Sequence, residues 1–238
     1  MFAATLDERD ASRAASVIQK LATRECQIAL TGGVAMEMLL RSNGRPSVRR
    51  PLNDLDFVVE DFATIPPLLA TDFVVHHVHP FAPDGKLLMQ LIDADHAVRI
   101  DLFRAFGETM RRSRELPGNT KPLRVVAVED LVARTTQHVC AALGRGRPLD
   151  AKFGSAFRRL LGLGQRRLLE EAWRDHRQDV QLSFSDAMRE ASQLLELHPE
   201  LLVREKYSSV VTPCPQCQNY GPFRQSPPEL IVRILGYW

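Results

Sequence analysis

The sequence has few aromatic residues, few cysteines and little net charge. Its 238 residues include four cysteines, 7% aromatic residues and a formal net charge of +2. The low net charge excludes a polycationic protein that coats nucleic acid along its whole surface. Trp173, Tyr237 and Trp238 are not interleaved with basic residues, which distinguishes them from the stacking platforms that bind single-stranded nucleic acid.

Long hydrophobic runs are also lacking. No stretch approaches the ~18 apolar residues that cross a bilayer. The opening "MFAATLDERD" has acidic residues where an export signal has basic and then apolar ones. We therefore expect a cytoplasmic protein with no membrane partner, whose cysteines serve as thiols or metal ligands and not as a disulfide framework.

Acidic and basic residues are unevenly distributed. Residues 1–110 contain more Asp and Glu than Lys and Arg, and the remainder shows the reverse. Such a distribution suits a site in which carboxylates hold metal and distal arginines meet an anion. For most of these arginines, a solvated helical surface is the commoner explanation.

Hydrophobic periodicity divides the chain into two regions. Before residue 128, helical patterns ("DASRAASVIQKLATRE", "GVAMEMLLRS") mix with strand patterns ("CQIAL", "DLDFVVED", "DFVVHHVHP", "GKLLMQLIDAD", "HAVRIDLFRAF"). After it, four segments have helical period, and a tail rich in Pro and containing Cys begins after Pro199. The sequence predicts an α+β fold: a core at 1–127 with a small mixed β-sheet flanked by helices, then a helical region at 128–238.

The stretch "IALTGGVAMEML" joins an apolar strand directly to a helix through Gly32 and Gly33. The free N–H groups and positive dipole end of a helix attract phosphate, and glycine lets a ligand approach the main chain. A Gly-Gly turn by itself is more often a packing feature. An anion site is indicated only if acidic, metal-binding residues occur further along the chain.

Three aspartates on predicted strands meet that condition. Asp54 and Asp56 are two residues apart, so their carboxylates share one face while Leu55 points to the core. Asp101 lies in the alternating segment "VRIDLF" and joins them if the two strands are neighbours. Like charges this close are stabilised by a divalent cation, and oxygen donors on rigid strands suit Mg²⁺. Carboxylates facing an anion-binding helix end are the equipment of two-metal phosphoryl or nucleotidyl transfer.

In order, "LTGGVAMEMLL", "RRPLNDLDFVV" and "VRIDLF" resemble the three motifs of the DNA-polymerase-β-type nucleotidyltransferase superfamily. The long loop before "DLDF" makes the chain most similar to the branch of abortive-infection type IV (AbiEii-like) toxins. The resemblance covers residues 24–105 and extends faintly into the later helices. It implies that two Mg²⁺ ions bind Asp54, Asp56 and Asp101, with Asp101 completing the metal that activates the attacking hydroxyl.

The resemblance also implies a set of nucleotide-binding residues: Thr31, Gly32, Gly33, Arg50 and Lys152. Gly32 and Gly33 would receive the β- and γ-phosphates, and Arg50 would clamp the triphosphate in bidentate fashion. The chain departs from the branch at Leu52, where a serine is common. Asp150 and Lys152 are the nearest candidates for the branch's later Lys/Asp pair.

The activity implied is transfer of a nucleoside monophosphate from an NTP to a hydroxyl of a tRNA, a protein or a small molecule. A toxin-like role with an antitoxin partner would be expected from the branch. The alternative is a non-catalytic protein that uses a nucleotidyltransferase fold for binding or as a scaffold. Three converging carboxylates favour the enzyme.

Three further motifs have weaker interpretations. Cys214 and Cys217 have the spacing of half a zinc site; a thiol-bearing turn is commoner, and structural zinc would need two ligands from among Cys26, Cys140, His176 and His198. "HHVH" places His77 and His79 on one strand face, a metal pair or, more commonly, residues of an exposed edge. "RRSR" at 111–114 is a solvated loop or, as the less common alternative, a contact to RNA or triphosphate.

Overall fold

The computed structural model describes residues 2–79, 88–116 and 123–203. These residues belong to two compact units. The first contains the described residues up to 106, together with 110–126, and the second contains 107–109 and 127–203. Cys214 and Cys217, predicted as zinc ligands, lie outside the described residues.

The first unit is built from a sheet and the helices beside it. Its helices are α1 (Glu8–Thr23) and α2 (Gly32–Ser42). A short helix α3 (Thr109–Arg112), whose first residue belongs to the second unit, precedes the last two strands. The strands are β1 (Ile28–Thr31), β2 (Asp54–Val59), β3 (Phe73–His79), β4 (Leu88–Asp93), β5 (Val98–Arg104), β6 (Arg114–Leu116) and β7 (Leu123–Val125). Single 3₁₀ turns occur at Phe2–Ala4, Phe62–Thr64 and Pro67–Thr71.

The seven strands form one mixed sheet in the order β3-β4-β5-β2-β1-β7-β6. β2 pairs with β5 in parallel and with β1 in antiparallel orientation, so it lies in the middle of the sheet. β1 also pairs in parallel with β7, and the remaining pairs are antiparallel. A central β2 is important because the two aspartates at its beginning then have a strand on either side.

Successive side chains along each strand point alternately to the hydrophobic core and to the opposite face of the sheet. Leu55 and Phe57 of β2 and Ile100 of β5 are fully buried, and each such side chain contributes about 1.5–3 kcal/mol relative to exposure. α1 begins at its cap Asp7, which accepts the backbone N–H of Asp10 at 2.8 Å. The aspartates of β2 alternate with these core residues and are part-exposed.

The second unit is mainly helical. Its helices are α4 (Val128–Leu143), α5 (Ala151–Leu160), α6 (Arg166–His176) and α7 (Phe184–Leu197), with a two-residue strand pair of β8 (Leu149–Asp150) and β9 (Leu202–Val203) and a 3₁₀ turn at Pro199–Leu201. α4 packs against α5, α6 and α7. Small residues such as Ala133, Ala187 and Ala191 are fully buried at these contacts, which lets the helices approach closely.

The predicted architecture, an α+β core with a mixed sheet flanked by helices and then a helical region, is confirmed. The sheet extends further than the sequence indicated, because β6 and β7 add two short strands beside β1. Within the described residues, no helix combines the length and the apolar character needed to span a membrane.

Candidate active site

Strand register brings two of the predicted carboxylates side by side. Asp56 of β2 pairs with Asp101 of β5 on one side and with Thr31 of β1 on the other. Asp54 lies two residues earlier on β2, in register with Arg99. Because residues two apart on a strand share a face, all three aspartates project from the same face of the sheet. The conditional prediction that β2 and β5 are neighbours is confirmed.

Arg99 lies among these carboxylates. Its Nη2 is 2.5 Å from Asp54 Oδ2, and its Nε is 3.3 Å from Asp101 Oδ1. The guanidinium therefore lies between carboxylates of two neighbouring strands, where it compensates part of their negative charge. Sequence reasoning missed this role, although Arg99 is two residues before Asp101 and so shares its strand face.

Asp101 is the most enclosed of the three aspartates, with 7% of its surface exposed. Burial raises the pKa of the Asp101 carboxyl above its ordinary value; the charge of Arg99 opposes this shift and the charge of Asp54 adds to it. Gln90 of β4 donates from Nε2 to Asp101 Oδ1 at 3.2 Å. A buried carboxylate with a raised pKa beside another carboxylate is a position where a cation binds favourably.

The glycine turn packs directly against the second aspartate. Gly32 begins α2 with φ +66°, and a Cβ built on it would lie 1.9 Å from Asp56 Oδ2. Only glycine allows both this left-handed conformation and this approach. Thr31, the N-cap of α2, is buried and makes no capping bond with its side chain. The Asp56 carboxylate therefore lies at the positive end of an 11-residue helix.

The second glycine packs against the predicted phosphate clamp. A Cβ on Gly33 would lie 1.4 Å from Arg50 Nη1, so the guanidinium rests on the first turn of α2. The backbone N–H of Arg50 donates to the carbonyl of Thr5 at 3.0 Å, and Arg50 forms an isolated parallel bridge with Leu6. These contacts hold the arginine beside the helix end that the sequence predicted as an anion site.

The loop before β2 is fixed by a buried carboxylate that the sequence did not single out. Asp10 Oδ2 accepts the backbone N–H of Leu52 at 2.8 Å, and Asp10 Oδ1 pairs with Arg13. The bond to Leu52 lowers the pKa of Asp10, and Arg13 lowers it further against the effect of burial. Leu52 is itself buried.

The donor set of the three aspartates fits Mg²⁺, a cation that takes hard oxygen ligands and completes its shell with water and phosphate. The three carboxylates are nevertheless not gathered into a finished metal site. Among residues 2–79, 88–116 and 123–203, no three His, Cys, Asp or Glu side chains already form a metal-binding group. The guanidinium of Arg99 contacts both Asp54 and Asp101.

Lys152, the remaining predicted nucleotide-binding residue, has partners of its own. Lys152 belongs to the second unit, where its Nζ is 3.3 Å from Asp150 Oδ2 and 5.1 Å from the ring centre of Phe153. Asp150 caps α5 by accepting the backbone N–H of Lys152. A role for Lys152 at the nucleotide stays a prediction.

The cysteines and histidines considered as further zinc ligands have other surroundings. Burial raises the pKa of the Cys26 thiol to about 11 and that of the Cys140 thiol to about 12, so neither is a ready thiolate. His176 is buried against Asp130 at 2.9 Å, and His198 lies 2.9 Å from Glu200.

The two remaining motifs belong to the sheet and its connections. His77 and His79 are on β3, which is an edge strand of the described sheet, and the β3–β4 register shifts between Val75 and His77. In "RRSR", Arg112 and Ser113 are buried, and Ser113 Oγ accepts from Arg124 at 2.7 Å. That segment is therefore partly built into the fold and is not a solvated loop throughout.

Comparison with known proteins gives similarity only among solved structures. The sequence matches no model of a protein family and no curated protein. An antigenic nucleotidyltransferase-like protein from Paracoccidioides brasiliensis is 14% identical, with a TM-score of 0.47 over 87% of this chain and 98% of that one. JHP933 from Helicobacter pylori is 13% identical, with a TM-score of 0.34 over 83% of this chain and 95% of that one. Similarity at this level does not assign an activity, which must come from the residues of this chain.

Proposed function

We propose that this protein is a Mg²⁺-dependent nucleotidyltransferase that moves a nucleoside monophosphate from an NTP to a hydroxyl acceptor. One observation carries the proposal. Asp56 and Asp101 are in register on parallel strands, with Asp54 on the same face, and Asp56 touches the glycine turn that begins α2. Carboxylates that hold cations and a helix end that attracts phosphate thus meet at one place.

The residues of the chain divide the work of binding and orientation. The first turn of α2 and the guanidinium of Arg50 beside it supply positive charge for the triphosphate. Asp54, Asp56 and Asp101 would hold two Mg²⁺ ions, which when bound neutralise the phosphates and lower the pKa of the attacking hydroxyl. Burial keeps Asp101 in fixed orientation, and Gln90 holds one of its oxygens.

We propose the class of acceptor from the resemblance of the sequence motifs to those of nucleotidyltransferases. A tRNA, a protein or a small molecule all offer a hydroxyl to the site. The AbiEii-like branch would add a toxin role and an antitoxin partner. The acidic first part and basic remainder of the chain lean towards RNA.

The test is transfer of label from α-labelled NTPs. Wild-type protein incubated with each NTP, Mg²⁺ and either total RNA or cell lysate should label one class of acceptor. Asp54→Asn and Asp101→Asn should remove transfer while unfolding of the metal-free protein stays cooperative, since each removes one charge from a like-charged cluster. Addition of EDTA should have the same effect as these substitutions. Full transfer by either variant would refute the proposal.

A non-catalytic binding protein is the second candidate, and Arg99 is the observation that favours it. The guanidinium of Arg99, next to Asp54 and Asp101, already compensates part of the negative charge that a metal ion would otherwise compensate. NTP binding separates the two candidates. An enzyme should show a rise in Tm with NTP and Mg²⁺ together that neither produces alone. A scaffold that relies on Arg99 should bind its ligand equally well in EDTA.

A further inference from the structure

Arg99 has a position that the proposed metal site leaves unexplained. It lies on the same face of β5 as Asp101 and is in register with Asp54 on β2. Its guanidinium contacts the carboxylates of Asp54 and Asp101, two of the three residues that the proposed function assigns to metal ions. What this arginine does when a metal binds depends on how firmly it is held.

The contacts of Arg99 are few for an arginine among carboxylates. Its Nη2 donates one hydrogen bond to Asp54 Oδ2 at 2.5 Å, while its enclosed Nε lies 3.3 Å from Asp101 Oδ1 without forming a hydrogen bond. Its side chain is 43% exposed. Charge and a single hydrogen bond hold this guanidinium at the cluster, and solvent is accessible to it.

Arginines that hold the fold together look different. Arg124 makes four hydrogen bonds to Ser113 and Met110, at 2.7 to 3.3 Å. Arg24 makes two to Asp72 and one to Thr71. A guanidinium that binds through several donors in a fixed fork geometry is costly to displace. Arg99 lacks that arrangement.

We infer that Arg99 is a built-in countercation, which compensates part of the negative charge of Asp54 and Asp101 in the metal-free protein and moves to solvent when a divalent cation binds. This inference rests on the proposed function, because it takes the three aspartates as the metal ligands. Its consequence is that Arg99 lowers the affinity for metal: the incoming ion must displace one positive charge before it gains the carboxylates.

The test is binding of Mn²⁺ to the full chain without nucleotide, followed by electron paramagnetic resonance of the free ion. Arg99→Gln should bind Mn²⁺ about fivefold more tightly than wild type, the upper end of the scale of one lost ion pair at a part-exposed site. Arg99→Lys keeps the charge and should stay within about twofold of wild type. Arg104→Gln removes the same charge from the exposed end of β5 and should also leave the affinity unchanged.

Thermal unfolding gives a second measurement. Without Arg99, the metal-free carboxylates repel one another, so Mn²⁺ should raise the Tm of Arg99→Gln by more than it raises that of wild type. An affinity of Arg99→Gln equal to or weaker than that of wild type would overturn the inference. So would a variant that stays unfolded both with and without Mn²⁺, because Arg99 would then be a structural residue.

Asp101→Asn separates this inference from the proposed function. If Asp101→Asn binds Mn²⁺ as wild type does, the aspartates are not the metal site and the proposed function fails with the inference. If Asp101→Asn loses Mn²⁺ while Arg99→Gln binds with unchanged affinity, only the countercation role of Arg99 is refuted.

Discussion

Gly32 offers a sharp test of the candidate site, because substitution by alanine adds a single methyl group at a defined place. At φ +66°, the new Cβ would lie 1.9 Å from Asp56 Oδ2, 2.7 Å from its Cγ and 2.8 Å from its Cβ. Rotation of the Asp56 side chain could relieve the first two contacts. The third involves an atom fixed by the backbone of β2, so the strand and the helix must also separate slightly.

Gly44 provides a matched control. It has φ +68° just after α2, and a Cβ there meets no atom within 4 Å. Gly44→Ala should therefore cost only the left-handed strain of an L-residue, about 1 kcal/mol of unfolding free energy. Gly32→Ala has the same strain plus the overpacking against Asp56, together about 2–4 kcal/mol.

Urea unfolding of both variants measures the two losses, and their difference isolates the contact with Asp56. We also expect Gly32→Ala to abolish nucleotidyl transfer, since it displaces a proposed metal ligand, whereas Gly44→Ala keeps it. Combining Gly32→Ala with Asp56→Ala should recover about 1 kcal/mol relative to the sum of the single losses. Equal losses for Gly32→Ala and Gly44→Ala, with transfer retained in both, would show that the glycine turn and Asp56 are not in contact.

Three further predictions concern residues around the site. Gly33→Ala would push aside Arg50 Nη1, the end of a flexible side chain, so we expect it to lower the unfolding free energy by less than about 1 kcal/mol in urea. The KM for NTP should rise about tenfold in this variant and also in Arg50→Ala. An unchanged KM in both variants would show that Arg50 is not part of the nucleotide site. Because burial raises the pKa of Asp101, the folded protein binds the proton of this carboxyl more strongly than the unfolded chain does. The unfolding free energy of the metal-free protein should therefore fall as the pH rises from the ordinary pKa of an aspartate to the raised pKa of Asp101. Urea midpoints in EDTA at acid and neutral pH should show this loss in wild type and a flatter profile in Asp101→Asn; parallel profiles would contradict it. Asp10→Ala leaves the backbone N–H of Leu52 without its acceptor and should lower the unfolding free energy by about 1–3 kcal/mol. Asp10→Asn keeps an acceptor and should lower it less. Similar urea midpoints for the two variants would count against a stabilising bond from Leu52 to Asp10.

Local patterns predicted the elements and the side-chain faces of the site. The apolar run into Gly32 predicted β1 and α2, and the alternation around Asp54 and Asp101 predicted β2 and β5 with the correct residues towards the core. These features depend on period and on turn chemistry, which are visible in a short window of sequence. Which strands are neighbours is not visible in a short window of sequence. The proximity of Asp101 to the other two aspartates could therefore be predicted only on the condition that β2 and β5 pair.

Features that arise between distant segments could not be predicted. The pairing of Arg99 with Asp54 requires the parallel register of β2 and β5, and the bond from Leu52 to Asp10 joins residues 42 positions apart. β6 and β7 have three residues each, too few for their alternation to stand out, and become strands because β1 offers an open edge. The roles of Lys152 and of the metal stay predictions.

Two residues near the beginning of the chain hold Arg50, the proposed phosphate clamp, although neither was predicted to take part in the site. Thr5 and Leu6 are buried, Thr5 receives the N–H of Arg50, and Leu6 bridges to it. Proteolytic trimming at this end, or a fusion tag that pulls the segment away, would therefore reposition an arginine that lies far along the chain. We expect versions shortened as far as Thr5 and Leu6 to bind nucleotide more weakly, and versions that also lack Asp10 to lose the bond that fixes the loop before β2.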